Sequence, residues 1–454
     1  MRAYIVVDLG FGDAGKGLLT DFLVRHFEAD VIVRYNGGAQ AGHNVVTPNG
    51  RHHTFSQFGS GTFVPNVKTY LSRQVVIDPL ALLVEGNTLE GKGVWNVFSR
   101  IRISDQALVI VPFHRAANRI REVVRGENRH GSCGIGVGEV VEDALLHPEI
   151  SVLAGDLNNP TLLRQKMRDI RELKREQIVT LCKDNSLDLS LAQEYEIFEG
   201  DDLIDKWIAS IARISELGLV VSNSTLEGWF RETDNVVFEG AQGVLLDADA
   251  GFHPYTTWSN CTAANAIDLI NEFAPDARVF RIGVLRSYTV RHGPGPLPTE
   301  EDSLASLISE HNQHNEWQGN VRYGWFDAVL ARYALGVTGG VDSLAVTHMD
   351  ILPRLKTWKY CPGYQGLYIP NNTSFVTTIS DDILTNFHFS PYLSLTERTH
   401  LTQILSNATP VLNGCNADDK TVIQEIEHLT EQQVGIVSFG PKAKDVQILN
   451  TFPI

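Results

Sequence analysis

Residues 4–17 read Tyr4-Ile5-Val6-Val7-Asp8-Leu9-Gly10-Phe11-Gly12-Asp13-Ala14-Gly15-Lys16-Gly17. A short β-branched run ends in glycines, and Leu18, Leu19, Phe22, Leu23 and Phe27 follow at helical spacing. The segment therefore predicts strand, glycine loop, helix. A second apolar run, Val31 to Tyr35, comes after a short link, so the start of the chain reads as a βαβ unit on a parallel sheet. Gly10 to Lys16 fits the G-x-x-x-x-G-K spacing of a phosphate loop in its required context. Its glycines let backbone N–H groups face phosphate oxygens, the helix N-terminus favours an anion, and Lys16 adds a point charge. The Ser or Thr that usually follows the lysine is Gly17 here. A nucleotide-bound Mg²⁺ must then find its protein oxygen elsewhere, and Asp13 is the nearest candidate.

After the second strand comes Arg34-Tyr-Asn-Gly37-Gly38-Ala-Gln40-Ala-Gly42-His43-Asn44, another glycine-rich loop. It falls beside the first at the strand C-termini, where α/β sheets bind ligands. His43 is thereby expected at the phosphates, as a proton donor or charge stabiliser. Further strands are expected at Gln106 to Pro112, Asn235 to Phe238, Ala277 to Val284, Ser343 to Thr347 and Val434 to Ser438. They run the length of the chain, which predicts an α/β fold with one large, mostly parallel central sheet in a single elaborated domain, residues 1–454. Between residues 156 and 232 the sequence turns polar and helix-prone, and Leu162 to Cys182 carries mixed charge without glycine. That stretch is expected to be a helical excursion from the sheet.

The 454 residues are 43% hydrophobic and 20% charged, the composition of a globular protein with a sizeable core. A formal charge of -16 repels polyanions, so neither nucleic acid nor an anionic membrane is an expected partner. No apolar run approaches the roughly 18 residues of a membrane span, and the N-terminal one is too short for a signal-peptide core. A cytoplasmic location follows as the expectation. Five scattered cysteines without a Cys-x-x-Cys pair predict reduced thiols.

Taken together, the loops resemble those of the adenylosuccinate synthetase family. The family's Gly-Asp-Glu-Gly-Lys-Gly appears as Gly12-Asp13-Ala14-Gly15-Lys16-Gly17, and its Gly-Gly-x-Asn-Ala-Gly-His as Gly37-Gly38-Ala39-Gln40-Ala41-Gly42-His43. Phe238-Glu-Gly-Ala-Gln242-Gly-Val-Leu-Leu-Asp247, Pro254-Tyr-Thr-Thr257-x-Ser-Asn260, Gly293-Pro-Gly295-Pro-Leu-Pro298, Gly324-Trp325-Phe-Asp327 and Ser438-Phe-Gly440-Pro441 continue the match in order. The resemblance implies a C–N ligase of purine metabolism. The γ-phosphoryl of GTP goes to the 6-oxygen of IMP, and the amine of aspartate then displaces phosphate. It implies that Asp13 takes the N1 proton and helps hold Mg²⁺, with the Gly42 carbonyl as a second ligand. His43 stabilises the transferring phosphoryl group, Lys16 neutralises charge, and Gln242 hydrogen-bonds the 6-oxyanion. Gly10, Gly12, Gly15, Lys16, Gly17, Gly42, Ser438, Gly440 and Pro441 fall to the nucleotide. Gln40, Cys133, Thr257, His292 and Arg322 fall to the acceptor and amine. The guanine signature, Thr-Lys-x-Asp in the family, is Thr347-His348-Met349-Asp350 and keeps the carboxylate that rejects adenine, so GTP is favoured over ATP. A homodimer is implied as well.

The chain also departs from the family pattern. Asn315 to Gly324 replaces an arginine-rich loop that binds the dicarboxylate and retains only Arg322. In Gly131-Ser-Cys133-Gly-Ile135-Gly136-Val-Gly138, Ile135 stands for an arginine and Cys133 for a threonine, and Val141 to His147 supplies no arginine. Buried anions need cationic partners, so weak or absent activity with IMP and aspartate is expected unless Arg286, Arg291, His292 or Arg322 substitutes. Two alternatives accompany the ligase reading: a paralogue that activates another oxo-substrate or uses another amine, and a purine-nucleotide-binding protein without turnover.

Overall fold

The computed structural model describes residues 1–185, 193–308, 314–315, 317–366, 377–380, 383–391 and 393–452. Its centre is a ten-stranded sheet made of β1 (Arg2–Asp8), β2 (Val31–Arg34), β3 (Lys68–Leu71), β4 (Ile101–Ser104), β5 (Val220–Val221), β6 (Asn235–Gly243), β7 (Arg278–Arg286), β8 (Ser343–Thr347), β9 (Val434–Ser438) and β10 (Val446–Ile448). The order is β10-β9-β8-β7-β1-β6-β2-β3-β4-β5, and every neighbouring pair is parallel except β9 with β10. Parallel pairing puts the loops that follow β1, β2, β6, β7, β8 and β9 on one edge of the sheet.

Alternation along β1 fixes its two faces. Ala3, Ile5 and Val7 enter one apolar cluster, whereas Tyr4 and Val6 enter the other with Leu19 and Leu23 of helix α1 (Lys16–His26). Three further helices form one flank: α2 (Pro112–Arg125), α3 (Val137–Leu146) and the 25-residue α4 (Pro160–Asp184). Leu163, Met167, Ile170 and Ile178 of α4 join Phe113 and Ile120 of α2 in a separate core with Ile101 and Ile103 of β4. Helix α5 (Ala328–Thr338) lies on the other half of the molecule and meets the strand Thr357–Gln365 of a smaller sheet.

Of the expected strands, Ser343 to Thr347 and Val434 to Ser438 hold residue for residue. Gln106 to Pro112 does not. Only Leu108–Val109 is extended there, paired with Val76–Ile77 outside the large sheet, and Pro112 opens α2. Proline's fixed φ and missing N–H suit the first turn of a helix, while β4 takes the place in the sheet. The five cysteines are free thiols. Among the described residues no helix is long and apolar enough to cross a membrane.

Candidate active site

The glycine loop closes on a fully buried carboxylate. Asp8 accepts from the N–H groups of Gly10 (2.8 Å) and Ala14 (3.0 Å), and Lys16 Nζ donates to it at 2.7 Å. Lys16 is therefore aimed before any nucleotide arrives. Gly17 lacks a side chain because the second loop passes directly over it: a Cβ there would lie 2.9 Å from the Cβ of His43 and 3.0 Å from the Asn44 carbonyl oxygen. The residue that departs from the usual phosphate loop is thus what lets His43 reach it. On the other side Gly243 packs onto the backbone of Gly10 and Gly12 with no room for a side chain.

His43 is buried and held by Glu239, whose carboxylate faces Nδ1 at 2.6 Å, while Nε2 lies 3.2 Å from the Ala241 carbonyl. Burial lowers the imidazole's pKa, with Glu239 the largest opposing influence. Burial would raise Glu239 in turn, but Arg34, His43 and Ser60 outweigh it and hold the carboxyl down at about 2. Its oxygens also accept from the Ser60 N–H (3.0 Å) and hydroxyl. A buried ionised carboxylate behind an imidazole fixes ring orientation and tautomer. Neither Asp8 nor Glu239 received a role from the sequence, although each is a carboxylate directly after a run of apolar strand residues, the signal that could have found them.

Asp13 sits at φ 55, in the left-handed region. Its carboxylate oxygen Oδ2 meets His292 Nε2 at 2.7 Å, and Arg286 Nε donates to its backbone carbonyl at 2.6 Å. Burial raises the Asp13 pKa, but His292, Arg286 and Lys16 together bring it below the usual carboxylate range. The carboxylate is thus held in its ionised form. Gln242 follows Ala241 on β6 next to Gly37, and both atoms of its amide are buried without a hydrogen-bond partner, as is Gln40 Oε1. Such atoms are costly to leave unpaired. Asn36 ties the region together: it accepts from the Ala241 N–H and donates to the Asn260 carbonyl, both at 2.8 Å, while the Ser259 hydroxyl accepts from the Gly37 N–H at 2.9 Å. Thr257 is held in the same loop by its N–H on the Leu246 carbonyl.

At the end of β8, Thr347 Oγ1 donates to the Ala14 carbonyl at 2.7 Å and so joins that strand to the glycine loop. Asp350 is exposed just beyond β8, and Ser438 ends the adjacent strand β9 with Gly440 and Pro441 just after it. Residues 131–138, read from the sequence as an acceptor loop, meet the other segments: Trp317 packs on Gly134, Trp258 on Gly138 and Pro294 on Gly131. Burial pushes the Cys133 thiol up to about 11, which keeps it an uncharged neighbour. The arginines offered as substitutes are engaged within the chain. Arg322 pairs with Glu300 and donates to the carbonyls of Gly293 (3.1 Å) and Gly295 (2.8 Å). Arg291 donates to Pro294 and Pro296 carbonyls at 3.0 Å, and Arg286 also donates to the Tyr288 hydroxyl.

For a metal, the hard oxygens of Asp13 and the Gly42 carbonyl suit Mg²⁺, which takes one or two protein groups and completes its shell with phosphate and water. No group of three or more His, Cys, Asp or Glu side chains is gathered among the described residues.

Comparison with known proteins agrees with this arrangement. A family profile described as adenylosuccinate synthetase matches residues 5–447. Adenylosuccinate synthetases of Clostridium botulinum and Pseudomonas putida are each 31% identical, over 99% and 98% of this chain and 100% and 98% of theirs. That of Mycobacterium leprae is 34% identical over 80% of this chain and 81% of its own. Among solved structures, fully ligated adenylosuccinate synthetase from Plasmodium falciparum superposes with a TM-score of 0.76 at 20% identity, covering 99% of this chain and 100% of its own. The succinoaminodeoxyadenylate synthetase of cyanophage S-2L, bound to dGMP and dATP, gives 0.58 at 19% over 98% and 95%. The paralogue and the non-catalytic binder are not favoured by these matches. The profile match over residues 5–447 and the full-length relatives at 31% identity accordingly place the chain in the adenylosuccinate synthetase family, as a C–N ligase with that family's GTP dependence.

Proposed function

We propose that the chain joins IMP and aspartate by phosphorylating the purine 6-oxygen with GTP, and that the residues above divide the work. Asp13, ionised and close to the phosphate loop, takes the N1 proton. The 6-oxygen gains negative charge as that proton leaves, and the unpartnered Gln242 amide donates to it. The oxyanion attacks the γ-phosphorus and GDP departs. Lys16 and the loop amides balance charge on the nucleotide, and His43, oriented by Glu239, donates to the transferring phosphoryl group. Mg²⁺ at Asp13 and the Gly42 carbonyl would neutralise nucleotide charge. The amine of aspartate then forms the C–N bond at C6, and phosphate leaves with the 6-oxygen. Asp350, Ser438, Gly440 and Pro441 hold the guanine end, Asp350 by accepting from its N–H groups. Gln40, Cys133 and Thr257 face the acceptor, while His292 and Arg322 shape its pocket through Asp13 and the 293–295 carbonyls. The protein is a cytoplasmic homodimer in this reading, and residues 156–232 are an excursion within one domain.

The observation that carries the reading is the buried, unpartnered Gln242 amide between the two glycine loops. A polar group of that kind is satisfied when a substrate oxygen arrives. Phosphate release measured against a panel of oxopurine nucleotides, each with and without aspartate, tests it. Release stimulated by IMP and completed by aspartate is expected. Release with another oxopurine and none with IMP would overturn the acceptor assignment.

A further inference from the structure

Helices α2, α3 and α4 meet around a cluster of buried charges that the chemistry above does not use. Lys174 of α4, fully buried, donates to Glu139 of α3 at 2.8 Å and pairs with Asp143, one turn further along α3, at 2.7 Å. Arg121 of α2 pairs with the second oxygen of Glu139 at 2.8 Å. His114 of α2 accepts from the Val111 N–H through Nδ1 at 3.1 Å, so its Nε2–H donates to Asp143 at 3.2 Å. Two cations and two carboxylates thus balance. Replacing such a buried network by apolar side chains of similar volume is often neutral or stabilising, so stability alone does not account for it. A charged network does fix the register of the elements that share it, because sliding a helix by one residue would strand a charge.

Register matters here because α3 is the wall between this cluster and the acceptor side of the site. At its N-terminus Gly136 packs on the backbone of His114 and Arg115, and the 131–138 loop with Cys133 leads into it. On its far side Val137 packs against Gly38, next to Gln40. Val137 and Val140 share an apolar cluster with Ala39. A shift of α3 therefore moves Cys133 and Gln40 together while leaving the phosphate loop, tied to Asp8 and Thr347, where it is.

We infer that Lys174 and Glu139 are positioning residues for the acceptor half of the site: the ion network sets the register of α3, and α3 sets the 131–138 loop and the Gly38–Gln40 segment. This rests on the assignment of those segments to the acceptor. Two variants test it in the full-length protein, Glu139→Gln, which keeps size and a hydrogen-bond acceptor for Lys174, and Lys174→Met. The KM for IMP should rise tenfold or more in both, with the KM for GTP within about twofold of wild type. Amide hydrogen exchange in residues 131–138 should quicken about tenfold, with residues 2–26 unchanged. The exchange measurement needs no turnover, so it judges the inference even if the wild type does not use IMP. Unchanged exchange in 131–138, or exchange and both KM values rising together across the protein as the fold is lost, would overturn it.

Discussion

In the proposed mechanism Asp13 and His43 act on different states of the substrate, and their variants should separate accordingly. Asp13 is ionised and held by His292, so Asp13→Asn removes the base while the loop amides of the phosphate loop persist. Turnover should vanish and nucleotide affinity, measured by titration, should stay within about tenfold. Wild-type turnover in that variant would take Asp13 out of the mechanism. His43 is a transition-state donor in this account, so His43→Ala should lower kcat by roughly a hundredfold or more. A rise in the nucleotide KM with kcat intact would make it a ground-state contact instead. The two loops that carry these residues were legible in the sequence, because the spacing of Gly10 to Lys16 and Gly37 to His43 names backbone geometry as well as residue type. What was not legible is who holds whom. The partners Asp8 with Lys16 and Glu239 with His43 are 8 and 196 residues apart, and only the parallel register of β1, β6 and β2 brings the loops together.

At the scale of an element, α5 shows how burial enters stability. Asp327 caps its N-terminus, accepting from the Val329 and Leu330 N–H groups at 3.1 Å, and receives the Tyr364 hydroxyl at 2.7 Å. Burial dominates and pushes its pKa up to about 6 from 3.8. A raised folded-state value means that the protonated form is the stabilised one. The contribution is complete below the unfolded value of 3.8 and is lost as pH rises through about 6. At 1.36 kcal/mol per pKa unit it amounts to about 3 kcal/mol at most. Asn in its place keeps an oxygen for the helix N–H groups and cannot ionise. Urea denaturation of Asp327→Asn should therefore lack the loss of stability that the wild type shows between about pH 4 and 6, and parallel curves for the two proteins would refute the assignment. The sequence announced α1 through its periodicity and α4 through a glycine-free stretch of mixed charge, but misplaced an element at Gln106 to Pro112, where an apolar run looks like a strand whether or not it enters the sheet. Strand β5 is two residues long and β4 follows a 3-10 turn, and neither carries enough pattern to be seen.

For the whole molecule, the sheet edge divides by strand order. The loops of β7, β8 and β9 lie on one side of the phosphate loop and those of β6 and β2 on the other. The segments read as holding the donor keep the family's residues more closely than those read as holding the acceptor, where the expected arginines are absent and Arg286, Arg291 and Arg322 are engaged internally. The departures had suggested weak or absent activity with IMP and aspartate, yet the family match covers both sets of segments. The direct measurement is the absorbance change on mixing the protein with IMP, GTP, Mg²⁺ and aspartate at millimolar concentrations, with ATP in place of GTP as the second arm. The account predicts accumulation of adenylosuccinate that requires all four components and is faster with GTP. No product under these conditions, or equal rates with ATP and GTP, would contradict it.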